Sequence, residues 1–432
     1  MKLIKIFISI ITLTVLISCS PGSGGSSSSS QTPIYEAVLD SGSGGTRLFL
    51  FRITAGSYPL VVKVLEDENR TQPNGYVEDG INNFVCGNAA GYSPPSAVAT
   101  QVIAPLLNTL TTELNTLKVP VSQVTVNVLA TAGMRTAADD CGQAAVDNLY
   151  GIIQQSISGS GYKVGEVRTT DGNSEEGVWT WVSLNDYYNN IFKDPSRASV
   201  NNAPVGVVEV GGSSAQISYP TNLAPSPASN IYLVSINSNT FSVFNRTYLG
   251  MGSTDARKNM RGTTTSPNLL SNRCFPVGLM IDDGDPGYAG MVPPGAYDFN
   301  SCTGFYTPYI TSVIGSTPGG DPITTNSLGQ FVGTGGAYYA TDYWSLNTSP
   351  SLLQATAISK CADVRNFPGI ASDDNTQFQC SNATYINTLL YNSSVGLFRS
   401  NPMQFQGTVS LKSNGDTFIS WAKGFLMLKY AQ

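Results

Sequence analysis

Apolar residues recur at helical steps over residues 96–117, where Val98, Val102 and Leu106 form one line with Ile103, Leu107 and Leu110 beside it. That spacing predicts an amphipathic helix, despite Pro105. A Val-rich run predicts a short strand over 124–129. Val146, Leu149, Ile152 and Ile153 mark the apolar side of a helix over 137–156, and a further helix is expected over 177–191. Residues 220–375 are rich in Gly, Pro, Ser, Thr and Asn, which predicts long loops and short helices, with order at 241–260 and 331–346. The stretch TFISWAKGFLMLKY, 417–430, reads as a closing helix or a strand–helix edge.

One pattern occurs twice. Residues 35–51 read YEAVLDSGSGGTRLFLF and residues 205–219 read VGVVEVGGSSAQISY. Each is an apolar strand, an acid (Asp40 or Glu209), a Gly/Ser turn and a second apolar strand. The echo predicts two related halves, each opening with a β-hairpin that carries a carboxylate near its tip.

The N-terminus reads as an address. Lys2 and Lys5 precede a largely apolar run over 6–17. This run is shorter than the roughly 20 residues of a membrane span and suits a secretory signal. Leu16-Ile17-Ser18-Cys19 resembles the lipobox of bacterial lipoproteins, with Cys19 as the lipidated first residue; ordinary cleavage near Ser18 is the alternative. The Ser/Gly-rich stretch that follows, 20–31, reads as a flexible tether. The expected location is outside the cytoplasm, anchored to the membrane through Cys19, in the periplasm or on the cell surface.

Composition narrows the chemistry. The 432 residues carry 23 Lys plus Arg against 29 Asp plus Glu, a net charge of −6, and only 12% are charged. Nucleic acid is therefore an unsuitable partner, because backbone binding needs clustered cations. Histidine is absent, which excludes a Ser–His–Asp triad, a Cys–His dyad and His-ligated zinc or haem. Proton transfer falls to carboxylates, Tyr, Lys or water. Apart from Cys19, six cysteines remain. An even number in an exported chain predicts disulfides. Local closure favours Cys274–Cys302 and Cys361–Cys380, which leaves Cys86–Cys141.

Several short blocks carry candidate chemistry. The hairpin loops, Ser41 to Thr46 and Gly211 to Ser214, offer successive N–H groups and hydroxyls to phosphate oxygens. Their acids, Asp40 and Glu209, suit Mg²⁺ or Ca²⁺ held partly through water. Alone, either loop is also explained as a plain Gly-rich turn. LATAGMR, 129–135, sets Thr131 and Arg135 where a strand meets a helix, a natural anion site; an exposed Arg at an ordinary turn is the alternative. SEEGVWTW, 174–181, sets Glu175 and Glu176 at a helix start. One acid can cap the helix electrostatically, and the other can serve as the general base that a His-free chain needs.

In order along the chain, DSGSGGTR, ATAGMR, EEGVWTW, VEVGGSSAQ and SWAKG resemble the five short blocks of the nucleoside triphosphate diphosphohydrolases, or apyrases. The resemblance runs from residue 36 to the C-terminus. It implies an α/β fold of two ribonuclease H-like, actin-like domains with the active site in the interdomain cleft. It also implies metal-dependent hydrolysis of the terminal phosphate of nucleoside tri- and diphosphates; separately, the chain is expected to be a monomer. By this resemblance Asp40 and Glu209 organise the water shell of Mg²⁺ or Ca²⁺. Ser43, Gly44, Gly45, Thr46, Arg47, Gly212, Ser213 and Arg135 bind phosphates, and Thr131 contacts the reacting one. Glu176 is the catalytic base, and Ser214 and Gln216 hold the attacking water. Glu209 stands where the family usually has Asp, and Gly45 where many animal members have His. Tyr338, Tyr339 and Tyr343 are candidates to bind the base, with core packing as the alternative for each.

The division expected along the chain is a signal at 1–18, a lipidated cysteine and tether at 19–33, a first domain at 34–160 plus 411–432, and a second at 161–410. Two other readings remain: an exopolyphosphatase-like phosphohydrolase, and a non-enzymatic surface lipoprotein that binds nucleotides or host ligands.

Overall fold

The computed structural model describes residues 32–54, 61–66, 77–87, 89, 91–191, 203–236, 239–262, 273–276, 280–281, 290–291, 297–315, 326–362, 376–411 and 419–431. The expected signal, Cys19 and nearly all of the tether lie outside the described residues.

The two halves repeat one topology. In the first, β1 (Ile34–Gly42) pairs antiparallel with β2 (Gly45–Thr54), which continues to β3 (Val61–Glu66) and also pairs β4 (Val77–Glu78). On its other side β1 runs parallel to β5 (Val124–Ala130), and β5 to β6 (Lys163–Thr169). In the second, β7 (Gly206–Val210) pairs antiparallel with β8 (Ser214–Pro220), then comes β10 (Asn239–Leu249), with β9 (Ile231–Ile236) at the edge. After a small ribbon of β11 (Met280–Ile281) and β12 (Gly290–Met291), β13 (Phe331–Gly335) runs parallel to β7, and β14 (Phe405–Thr408) parallel to β13. Position for position, β3-β2-β1-β5-β6 matches β10-β8-β7-β13-β14 in order and strand sense. β6 pairs with β5, so the first sheet extends to Thr169.

Helices cover the sheets. The first half uses α1 (Ala104–Leu117), α2 (Ala132–Cys141) and α3 (Gln143–Gly159), while α4 (Gly177–Tyr187) packs against β7, β8 and β10 of the second sheet. The second half uses α5 (Ser253–Gly262), α6 (Phe299–Ile314), α7 (Gly336–Asp342), α8 (Leu353–Lys360) and α9 (Gln379–Tyr391), while α10 (Trp421–Tyr430) returns to the first half, where Lys429 pairs with Glu36 of β1 at 2.8 Å. The helix expected over 96–117 begins with a 3₁₀ turn, Pro95–Ala97, and a π turn, Ala99–Ile103. Pro105 therefore lies inside a continuous helical run, directly after the π turn, and it is at this irregular turn that the ladder meets the N–H that proline lacks. The helix expected over 137–156 is two helices, broken at Gly142, whose φ of 85° is left-handed. The helix expected over 177–191 stops at Tyr187, and Asn189 adopts a φ of 55°. The 16-residue α6 exceeds the short helices expected there. Its aromatic, Thr-rich sequence is a weak helix former, but Tyr306 packs on Tyr385 of α9 with ring centroids 5.2 Å apart. Tertiary packing outweighs propensity at this site.

Each half has its own apolar core. A third cluster joins them, mixing Val38 and Phe49 of the first sheet, Val207 and Val332 of the second, and Trp181 and Leu426 of helices α4 and α10. Those two helices cross closely: a Cβ on Gly424 would lie 1.9 Å from the Trp179 carbonyl oxygen. Lys423 and Asp186 form a buried 2.6 Å ion pair across the same crossing. The three disulfides join the expected partners, with Cα–Cα distances of 5.5 Å for Cys86–Cys141, 5.1 Å for Cys274–Cys302 and 5.8 Å for Cys361–Cys380.

Candidate active site

Both hairpins present their loops to one cleft of about 350 Å³. β1 and β2 stay paired up to Gly42 and Gly45, so only Ser43 and Gly44 form the first tip. The second loop, Gly211 to Ser213, closes with a 2.9 Å bond from the Gly211 N–H to the Ser214 carbonyl. The tips meet, since a Cβ on Gly212 would stand 2.7 Å from Ser43 Oγ. The first turn of α5 donates to the second loop's carbonyls: Ser253 to Gly211 at 2.9 Å, Thr254 and Asp255 to Gly212 at 3.0 and 3.1 Å. Across a trans peptide C=O and N–H point in opposite directions. The Gly212 and Ser213 N–H groups are thereby turned away from α5, as phosphate donors require.

Asp40, Ser43, Gly44, Arg47, Thr131, Glu176, Glu209, Gly212, Ser213, Ser214 and Tyr339 all line the cleft. Other expected residues are placed differently. Thr46 is fully buried and donates its hydroxyl to the Asp79 carbonyl at 2.9 Å, so β-pairing turns it away from the tip. Gly45 belongs to the β2 side of the turn, and its carbonyl accepts from Arg47 at 3.4 Å. Gln216 lies buried behind Ser214 and donates to its Oγ at 2.7 Å. Arg135 is held by the Thr170 carbonyl at 3.1 Å and by Glu176 at 2.9 Å, and does not line the cleft wall. Tyr338 and Tyr343 also stand off that wall; Tyr343 packs edge-on against Trp344.

The local fold separates the adjacent acids. A π turn, Gly172–Glu176, precedes α4, and Asp171 caps it by accepting from the Ser174 N–H at 2.7 Å. Asn245 and Thr247 of β10 grip the Gly172 carbonyl, and the Thr247 N–H donates to Asn173 Oδ1 at 2.9 Å. The turn emerges from the first half and is fastened to the second. Glu175 leaves the cleft to take two 2.7 Å bonds from Arg168. Glu176, 5% exposed, enters the cleft. Burial raises the Glu176 pKa above the usual carboxylate range, and Arg135 opposes the rise. Burial, then the charges of Glu176 and Asp40, push Glu209 well above it.

Among the described residues no three acids, cysteines or histidines converge closely enough to ligate a metal directly. Asp40 and Glu209 nonetheless occupy matching strand positions, opposite Arg47 and Gln216. Glu209 Oε2 is buried with no hydrogen-bond partner. A buried carboxylate oxygen without a partner, beside two other carboxylates, is a costly arrangement that a hydrated divalent cation would relieve. The residues fit Mg²⁺ or Ca²⁺ held through water.

A family model for the GDA1/CD39 (nucleoside phosphatase) family matches residues 26–311, well over half of the chain. The chain belongs to this family. It is 25% identical over 291 residues to nucleoside-triphosphatase ntp-1 of Caenorhabditis elegans, covering 62% of this chain and 49% of that protein. It is 21% identical over 430 residues to probable apyrase 4 of Arabidopsis thaliana, covering 92% and 79%. The chain spans about half the length of several curated relatives that it matches, at 49, 42 and 50%. A solved structure of nucleoside triphosphate hydrolases from Neospora caninum superposes with a TM-score of 0.56 at 15% identity, covering 93% of each chain. The fold is accordingly the two-domain, ribonuclease H-like, actin-like α/β architecture.

Sequence reasoning missed several wall residues: Phe49, Ser253, Gly335, Gly336 and Trp421. Trp421 lies within the SWAKG block, quoted there without a role. Gly335 had a signal in its GG pair, and its φ of 61° excludes most side chains. Ser253 follows a Gly-Met-Gly run that no motif flagged.

Proposed function

We propose that the chain hydrolyses the terminal phosphoanhydride of nucleoside tri- and diphosphates, carrying ATP through ADP to AMP and phosphate. The observation that carries this reading is the matched pair of loops facing each other across a cleft, with a buried glutamate, Glu176, in its wall. Family membership supports the same reaction class.

Phosphoryl transfer needs positioning and charge neutralisation more than covalent help. Ser43, Gly44, Gly212 and Ser213 bind the phosphate chain from both sides. Thr131 contacts the reacting phosphate and Arg47 adds a cation at the wall. Ser214 orients the water, and Gln216 acts from behind by donating to the Ser214 Oγ at 2.7 Å. Glu176 takes the water's proton as the water attacks in line. Asp40 and Glu209 would hold a divalent cation through water, and it would supply polarisation of phosphate oxygens. Arg135, bonded to Glu176, holds the base in place and favours its ionised form. Tyr339, 53% exposed on the wall, is the remaining candidate to stack on the base.

The same reading places the enzyme outside the cytoplasm as a lipoprotein anchored at Cys19. The lipobox-like LISC and three disulfides support that location. The deciding experiment measures phosphate release from ATP, ADP, GTP, UDP and polyphosphate, with Mg²⁺, Ca²⁺ or chelator. Release from nucleotides that stops with chelator is expected. Release from polyphosphate alone would overturn the substrate, and no release from any would overturn catalysis.

A further inference from the structure

The two halves treat their acids differently. Asp40 has Leu129 as its neighbour on the parallel strand, an apolar residue that offers nothing to a carboxylate. Glu209 is one methylene longer, and its neighbour on the corresponding strand is Thr334. Thr334 is fully buried and Glu209 is 7% exposed. Thr334 Oγ1 and Glu209 Oε2 each have no hydrogen-bond partner. Registered neighbours share a face of the sheet, and strands lie about 4.8 Å apart. An orphaned hydroxyl donor and an orphaned carboxylate oxygen therefore occupy registered positions on one face of the sheet, unbonded to each other, a pairing that a bridging water or a side-chain rotation would complete.

The rest of this cross-strand row is occupied. Gln216, on the other side of Glu209, donates to Ser214 Oγ, and Thr247 beyond it bonds Gly172. Thr334 is then the neighbour within the row whose only donor is uncommitted, whereas Gln216 spends one of its two N–H groups on Ser214. Burying an unsatisfied hydroxyl is costly, and valine would fill the same space without that cost.

We propose that Thr334 is a positioning residue for Glu209: its hydroxyl holds the longer carboxylate so that the other oxygen faces the cleft. The inference rests on the proposed hydrolase reading. It explains how a glutamate serves where the first half uses an aspartate, since the extra rotatable bond is restrained by a hydroxyl that the first half lacks.

A double-mutant cycle tests it, using Thr334→Val and Thr334→Ser in the parent and in Glu209→Asp. Two readouts are taken: kcat and KM for ATP, and the midpoint of a Mg²⁺ or Ca²⁺ titration followed by Trp fluorescence, Trp421 being a cleft residue. In the parent, Thr334→Val should lower kcat about tenfold and raise the metal midpoint several-fold, the scale of one hydrogen bond to a charged group. Thr334→Ser should stay within about threefold, because it keeps the hydroxyl. In Glu209→Asp, too short to reach, Thr334→Val should change either readout by less than about twofold. Equal losses in both backgrounds would show a structural role and overturn the proposal, as would no loss in the parent. Should the parent release no phosphate, the hydrolase reading fails, while the metal midpoints still report on the pairing.

Discussion

Arg135 donates a 2.9 Å charge-assisted hydrogen bond to Glu176. The cation that the sequence reading assigned to phosphate is therefore spent on the acid proposed to activate water. Burial raises the Glu176 pKa and Arg135 pulls it back down. A general base works only when ionised, so activity falls as pH drops through that pKa. Removing the cation moves the fall to higher pH. Arg135→Gln should shift the acid limb of kcat/KM upward and lower the rate at pH 7 by about 10–100-fold, within the usual worth of a general base. Arg135→Lys should restore part of it. An unmoved acid limb, with only KM raised, would return Arg135 to the phosphate.

Glu175 and Glu176 provide a sharper contrast, because one residue of offset sends them to different partners. Glu176→Gln should lower the rate by ~10²–10⁴ with nucleotide binding retained. Glu175 bonds Arg168 away from the cleft, with its side chain 23% exposed. Loss of such an ion pair is worth about 0.2–1 kcal/mol, so Glu175→Gln should stay within about tenfold of the parent. Steady-state phosphate release for both variants at saturating metal decides. A dead Glu175→Gln beside a working Glu176→Gln would reverse the assignment.

Two glycines near the loops separate function from folding. A Cβ on Gly44 would meet nothing within 4 Å, but it would enter the cleft. Gly44→Ala should melt like the parent and hydrolyse nucleotide more slowly, chiefly through a higher KM. A Cβ on Gly252 would lie 2.2 Å from the Gly212 carbonyl carbon and the Ser213 nitrogen. Gly252→Ala must displace the second loop's backbone, so it should lose both stability and activity. Melting curves beside kinetics test the pair; a destabilised Gly44→Ala or an unaffected Gly252→Ala would contradict the assigned geometry.

The hairpins were legible because alternating strands, an acid and a Gly/Ser turn are local features that occur twice. The second half's helices were not. Neither α6, with its internal Pro308, nor the buried Asn and Thr positions of α9 announce a helix; disulfides and aromatic packing hold them. Thr46 was misplaced for a related reason. A motif tells which residues sit near a tip, whereas the register decides which side chains face the cleft. The partnership of Arg135 with Glu176 joins residues 41 positions apart, and only the folded chain reveals it.

The crowding of Asp40, Glu176 and Glu209 predicts how stability depends on pH without metal. The Glu209 pKa is pushed well above the ordinary 4.5, first by burial and then by Glu176 and Asp40. Glu176 is raised by burial as well. Between 4.5 and these higher values, the native state binds more protons than the unfolded chain. Stability must then fall as pH rises through that window, and the contribution is fully present below 4.5. Asp171 and Asp298 shift downward, so their loss of stability comes only in stronger acid, below the ordinary 3.8. In chelator, the melting temperature should decline from pH 5 to pH 8. Mg²⁺ or Ca²⁺ should raise it most at pH 8, because a cation favours the ionised carboxylates, and so flatten the slope. Glu209→Gln should remove much of the slope in chelator and much of the metal's stabilisation. A melting temperature that climbs with pH in chelator, or a metal effect undiminished in Glu209→Gln, would show that these carboxylates do not share one cation site.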